Sequence, residues 1–107
     1  AGDPEWASDP AYLEWLAFMK KYYPEGDTNE QLNLVGYSMG FLMTEVLSRC
    51  GDDLRADRIL KEATSLKDVP LPALIPGITV NTSPTDYRIV EQLRLQRFDG
   101  KRWVPLA

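Results

Sequence analysis

No histidine occurs anywhere in the 107 residues. The chain therefore lacks the side chain that most readily exchanges a proton near neutral pH, and also the commonest nitrogen ligand for metals. Cysteine occurs once, at Cys50, so no internal disulfide can form and the redox compartment is not legible. Its place at the end of an apolar helical stretch reads as a small buried hydrophobe rather than a reactive thiol. Basic residues are outnumbered, 12 against 16 acidic ones, for a net charge of −4. They are scattered without a stripe, which argues against binding to a nucleic-acid backbone. The charge-free stretch at residues 31–44 is too short to cross a bilayer and contains Asn, Gly and Ser. The opening Ala1-Gly2-Asp3-Pro4 has neither a positive region nor an apolar run, so no signal peptide is read there. There is no internal repeat and no low-complexity tract. A hydrophobic share of 44% and a charged share of 26% instead suit one small folded unit.

Helices are expected first and strands last. Asp9 suits an N-cap and Pro10 the first helical position. Tyr12, Leu16, Met19 and Tyr23 then share a face, flanked by Trp15, Phe18 and Tyr22, until Pro24 stops the helix. Thr28-Asn29-Glu30-Gln31 has the form of a capping box. The helix expected after it is apolar nearly all round, from Leu32 to Leu47, and ends at Gly51. Such a helix needs neighbours on several sides. Asp52 and Asp53 introduce a third helix with Ala56, Ile59, Leu60, Ala63 and Leu66 on one face. Pro70, Pro72 and Pro76 punctuate a non-helical connector. Ile78-Thr79-Val80 reads as a short strand and Thr82-Ser83-Pro84-Thr85-Asp86 as a polar turn. Leu93 to Arg97 alternates with period two, Asp99-Gly100 signals a two-residue hairpin, and Lys101 to Val104 supplies the return strand.

One motif suggests catalysis. Gly36-Tyr37-Ser38-Met39-Gly40 has the Gly-x-Ser-x-Gly pattern of a nucleophile elbow, which would make Ser38 a hydrolase nucleophile. Serine needs a base to take its proton, and in that arrangement the base is a histidine. With none available, the small residues read as a means of close helix packing, and no enzyme is expected. Asp52-Asp53 reads as capping rather than metal binding. Asn81-Thr82-Ser83 matches a glycosylation sequon, a short pattern frequent by chance. Trp15, Phe18, Tyr22 and Tyr23 read as core aromatics before they read as a ligand groove.

Three segments together carry a family likeness. They are Gly36-Tyr37 opening an apolar helix, Cys50-Gly51-Asp52-Asp53-Leu54 at its end, and a long tail. The tail is Pro76-Gly77-Ile78-Thr79-Val80-Asn81-Thr82-Ser83-Pro84-Thr85-Asp86-Tyr87 followed by Gln92-Leu93-Arg94-Leu95-Gln96-Arg97-Phe98-Asp99-Gly100-Lys101-Arg102-Trp103-Val104. Across essentially its whole length the chain resembles the C-terminal portion of periplasmic solute-binding proteins serving ABC importers of the leucine/isoleucine/valine type. The resemblance implies an α/β fold, the end of a two-lobed type I periplasmic-binding-protein fold, here with three helices, a short strand and an Asp-Gly hairpin. Residues 1–69 would be a helical part belonging with one lobe. Residues 70–107 would be a Pro-rich crossover and terminal strands belonging with the other. It implies a periplasmic parent that captures a branched-chain or other hydrophobic amino acid, or an aromatic carboxylate, for an ABC permease, with no cofactor. Tyr37 is the one position it offers as ligand-facing, and Arg55 departs from the helix-capping Thr or Ser of related sequences. The isolated chain would then be a homo-oligomer or need a complementing fragment. Two other readings are an autonomous α+β module that dimerises through its apolar faces and the Ser38 hydrolase.

Overall fold

The first helix begins where its cap requires. In the computed structural model, which describes residues 2–106, Asp9 Oδ1 accepts the Tyr12 N–H at 2.9 Å and Pro10 takes the first helical position. Helix α1 spans Pro10–Tyr22 and follows a short 3-10 turn, Pro4–Trp6, capped by Asp3. It buries Trp15 and Met19 against Leu34 of the next helix, with Tyr12, Leu16, Tyr37 and Ala73 packed around them. Trp15 rather than Tyr12 or Tyr23 is the centre of that face, because Tyr23 remains 46% exposed. The buried Trp15 indole N–H finds no acceptor among the described residues, which costs about 1–3 kcal/mol against the gain from burying the ring.

Helix α2 spans Gln31–Cys50. Its start corrects the capping-box expectation. Asp27 competes for the preceding turn: its Oδ1 accepts the Asn29 N–H at 2.8 Å, and its carbonyl accepts the Glu30 N–H at 3.2 Å. The cap therefore falls to Glu30, whose Oε1 accepts the Leu32 N–H at 3.1 Å. Gly51, with φ +62°, ends the helix, and Cys50 is buried as expected.

Helix α3, Ala56–Ala63, starts at Arg55 without a side-chain cap. Asp53 is engaged with Arg55 itself, accepting its guanidinium at 2.8 Å. Arg58 ties the two helices together by donating to the Arg49 carbonyl in the last turn of α2 at 3.1 Å. Ile59 and Ala63 pack inward, whereas Leu60 is 57% exposed and Leu66 is buried beyond the helix end.

The connector forms a second core. Val46, Leu66, Val69, Leu71 and Val80 are buried together, with Leu42, Ile89 and Val90 against them. The strand expected at Ile78-Thr79-Val80 is reduced to one antiparallel bridge, in which Val69 and Val80 exchange both backbone bonds. Side chains replace the rest of the ladder: Asn81 Oδ1 accepts the Asp68 N–H, and Gln92 Oε1 accepts the Thr79 N–H, each at 2.9 Å. Pro70 has no N–H with which to lengthen it.

Strands β1, Gln96–Phe98, and β2, Trp103–Pro105, pair antiparallel with Phe98 opposite Trp103. Four residues, not two, make the turn. Asp99 Oδ1 accepts the N–H groups of Lys101 and Arg102, and Gly100 takes φ +100°. The alternation at Leu93 and Leu95 lies outside the paired residues, and both side chains are exposed.

The fold is thus mixed α/β, with three helices and a two-stranded antiparallel sheet among the described residues. Its radius of gyration is 15.9 Å. A compact chain of this length has about 13 Å. It exposes 7736 Å², against about 6,000 Å² for a compact protein of this mass. Apolar side chains are among the exposed groups: Leu32, Val35, Met39, Phe41 and Met43 of α2 are all at least partly open to solvent.

Candidate functional site

Tyr37 lies on α2 facing the last turns of α1. Its ring meets Phe18 at 4.8 Å between centroids and 55° between planes, and Phe18 in turn meets Tyr22 at 4.9 Å. Both spacings suit edge-to-face aromatic contact. Tyr37 and Phe18, together with Met19, Tyr23, Asn33 and Phe41, border a groove of about 650 Å³ between the two helices. The floor of the groove is bare backbone, because Gly36 and Gly40 lie one helical turn apart with open space where a Cβ would stand.

The groove is held by local devices. A Cβ on Gly26 would run into the Tyr23 ring and come within 2.6 Å of Met19 Cε, so any larger residue in the α1–α2 loop would force those side chains to move. Asn33 Nδ2 donates to the Asp27 carbonyl at 2.9 Å, and Thr44 Oγ1 to the Gly40 carbonyl at 2.9 Å. No charged side chain lines the groove. It offers ring faces, apolar walls, the tyrosines Tyr23 and Tyr37, and an amide and a hydroxyl already tied to backbone, which suits an apolar or aromatic guest.

Ser38 points the other way. It is fully buried, its hydroxyl donates to the Leu34 carbonyl at 2.9 Å, and it accepts the Ala73 N–H at 3.0 Å. It sits within α2 rather than on a strand-to-helix elbow, and it ties that helix to the Pro-rich connector. The four aromatics read as core divide: Trp15 joins the core, Phe18 and the C-cap residue Tyr23 line the groove, and Tyr22 is exposed beneath Lys21, whose Nζ lies 4.9 Å from its ring centre. Asn33, Phe41 and Thr44 are groove residues that the sequence did not single out, and Gly36 and Gly40, expected to allow close helix packing, instead face open space. The spacing of Gly36, Gly40 and Thr44 every fourth residue was the available signal.

The electrostatically perturbed groups lie elsewhere. Hydrogen bonds from the Arg55 guanidinium and N–H hold the Asp53 carboxyl below its ordinary value. Those from Arg88 bring Asp86 down to about 2. Backbone N–H groups of Arg102 and Lys101 lower Asp99. Among the described residues no three His, Cys, Asp or Glu side chains are grouped to hold a metal ion, and no helix is long and apolar enough to cross a membrane. The sequon residues are structural pins: Asn81 braces the Val69–Val80 bridge, and Thr82 Oγ1 donates to the Ala63 carbonyl at 2.7 Å while accepting the Leu66 N–H at 2.9 Å. No family model, curated protein or solved structure was found to match the chain.

Proposed function

We propose that this chain is the C-terminal part of a periplasmic solute-binding protein of the leucine/isoleucine/valine receptor type, itself a two-lobed type I periplasmic-binding-protein fold. The parent captures a hydrophobic amino acid or an aromatic carboxylate and presents it unchanged to an ABC permease. The observation that carries this reading is the family-like tail. Its residues are built into the fold: Val80 is fully buried, and Thr82 and Asn81 fix the tail to the end of α3 and to the connector. The open apolar side of α2 supports the same reading, since a helix uncharged between Glu30 and Glu45 expects cover that these residues do not provide. Tyr37, at the centre of an uncharged aromatic groove, is the ligand-facing position within this piece.

The same open side favours a second reading, a module that pairs with another copy of itself. Calorimetric titration separates the two. The full product of the gene and this chain are each titrated with a panel of hydrophobic amino acids and aromatic carboxylates. Heat from the longer protein alone is the expected result. Equal binding by both, or no binding by the longer protein to any member of the panel, overturns the receptor reading.

A further inference from the structure

A second cavity, of about 440 Å³, shares no residue with the groove at Tyr37. It is assembled from distant parts of the chain: Asp3 and Trp6 of the N-terminal turn, Asp9 and Tyr12 at the start of α1, and Gln96 and Trp103 of the hairpin. Its size falls within the range of small-molecule sites, about 300–1,000 Å³. Much of its wall is apolar, from Leu34 and the connector at 72–76, with Gln31 and Gln96 beside them. The charged groups that line it are two carboxylates, joined by two indoles and a phenol, and no Lys or Arg does.

Both carboxylates are already placed by the backbone. Asp3 Oδ1 accepts the Glu5 N–H and Asp9 Oδ1 the Tyr12 N–H, each at 2.9 Å, so capping fixes their positions before any ligand arrives. Each cap commits Oδ1 to one backbone N–H, and the turn's N-terminal amides offset part of the carboxylate's charge. Indole offers the strongest cation-attracting face among the side chains. Trp103 is 58% exposed, its ring meeting Phe98 at 5.5 Å. We infer that this cavity is a binding site for a small organic cation of the alkylammonium class, held between the indoles of Trp6 and Trp103 and neutralised by Asp3 and Asp9.

The inference stands apart from the receptor reading and is tested on this chain as it is. Three ligands of like shape and different charge serve as probes: tetramethylammonium, tert-butanol and pivalate. The readout is the set of indole N–H resonances of the nitrogen-15-labelled protein. Tetramethylammonium is expected to shift the Trp6 and Trp103 signals saturably while that of buried Trp15 stays fixed. The combined Asp3→Asn and Asp9→Asn variant keeps both caps, because asparagine caps as well as aspartate. Its affinity is expected to fall about tenfold, as is that of Trp103→Leu, with circular dichroism unchanged. Higher salt should weaken binding in the parent chain and much less in the double variant. Tert-butanol or pivalate binding as tightly as the cation, an undiminished double variant, or no saturable shift overturns the inference.

Discussion

At the scale of single residues, the serine that looks catalytic is a strut. Removing the hydroxyl in Ser38→Ala leaves the Ala73 N–H without its acceptor in a part-buried place. We expect a loss of about 1–3 kcal/mol in stability, read by urea unfolding, and no serine-probe labelling of the parent chain. Asp86 carries the sharpest acid signature. Its carboxyl is lowered from 3.8 to about 2, first by the Arg88 side chain and then by the Arg88 N–H. A depressed folded value means that the stabilisation is present above the unfolded value of 3.8 and is lost as pH falls through about 2. Following the Asp86 carboxyl carbon by NMR should place its midpoint near 2, and Arg88→Gln should return it part of the way to 3.8. A midpoint that Arg88→Gln leaves unmoved would contradict the assignment.

At the scale of elements, the tail is held by paired side-chain bonds where a sheet ladder would otherwise serve. Thr82→Val keeps the shape and removes both the bond to the Ala63 carbonyl and the acceptor for the Leu66 N–H. About 1–3 kcal/mol should be lost, measured by denaturant titration, with faster amide exchange at Leu66. This arrangement also marks the limit of what the sequence discloses. The helices were legible because their signals are local: Asp9-Pro10 starts α1, Pro24 follows its end, and Gly51 ends α2. The capping box at Thr28 failed because Asp27, one residue earlier, takes the turn for itself. The strand at Ile78-Thr79-Val80 failed because its partners are Val69 and the side chains of Gln92 and Asn81, which no periodicity reveals. Tyr37 was legible as a candidate from the family resemblance. The groove around it was not, since it depends on the α1–α2 approach and on Gly26. The second cavity joins Trp6 to Trp103 from nearly opposite ends of the chain, a pairing that local sequence spacing does not report.

At the scale of the molecule, two small cores lie along α2, one around Trp15 and one around Val80, and the side of α2 bearing Met39 and Met43 is covered by neither. The molecule measures 49 × 35 × 19 Å, and its open apolar helix would be covered if a second body packed there. If that other body is the rest of the same receptor, Met39 and Met43 are surface groups only in the isolated chain. Oxidative footprinting of these two methionines, in the dilute chain and in the full product of its gene, is the most direct test. We expect rapid sulfoxide formation at both in the chain alone and protection of at least one in the longer protein. Equal oxidation in the two, or protection that appears in the isolated chain simply on raising its concentration, would contradict the receptor reading and favour a self-pairing module.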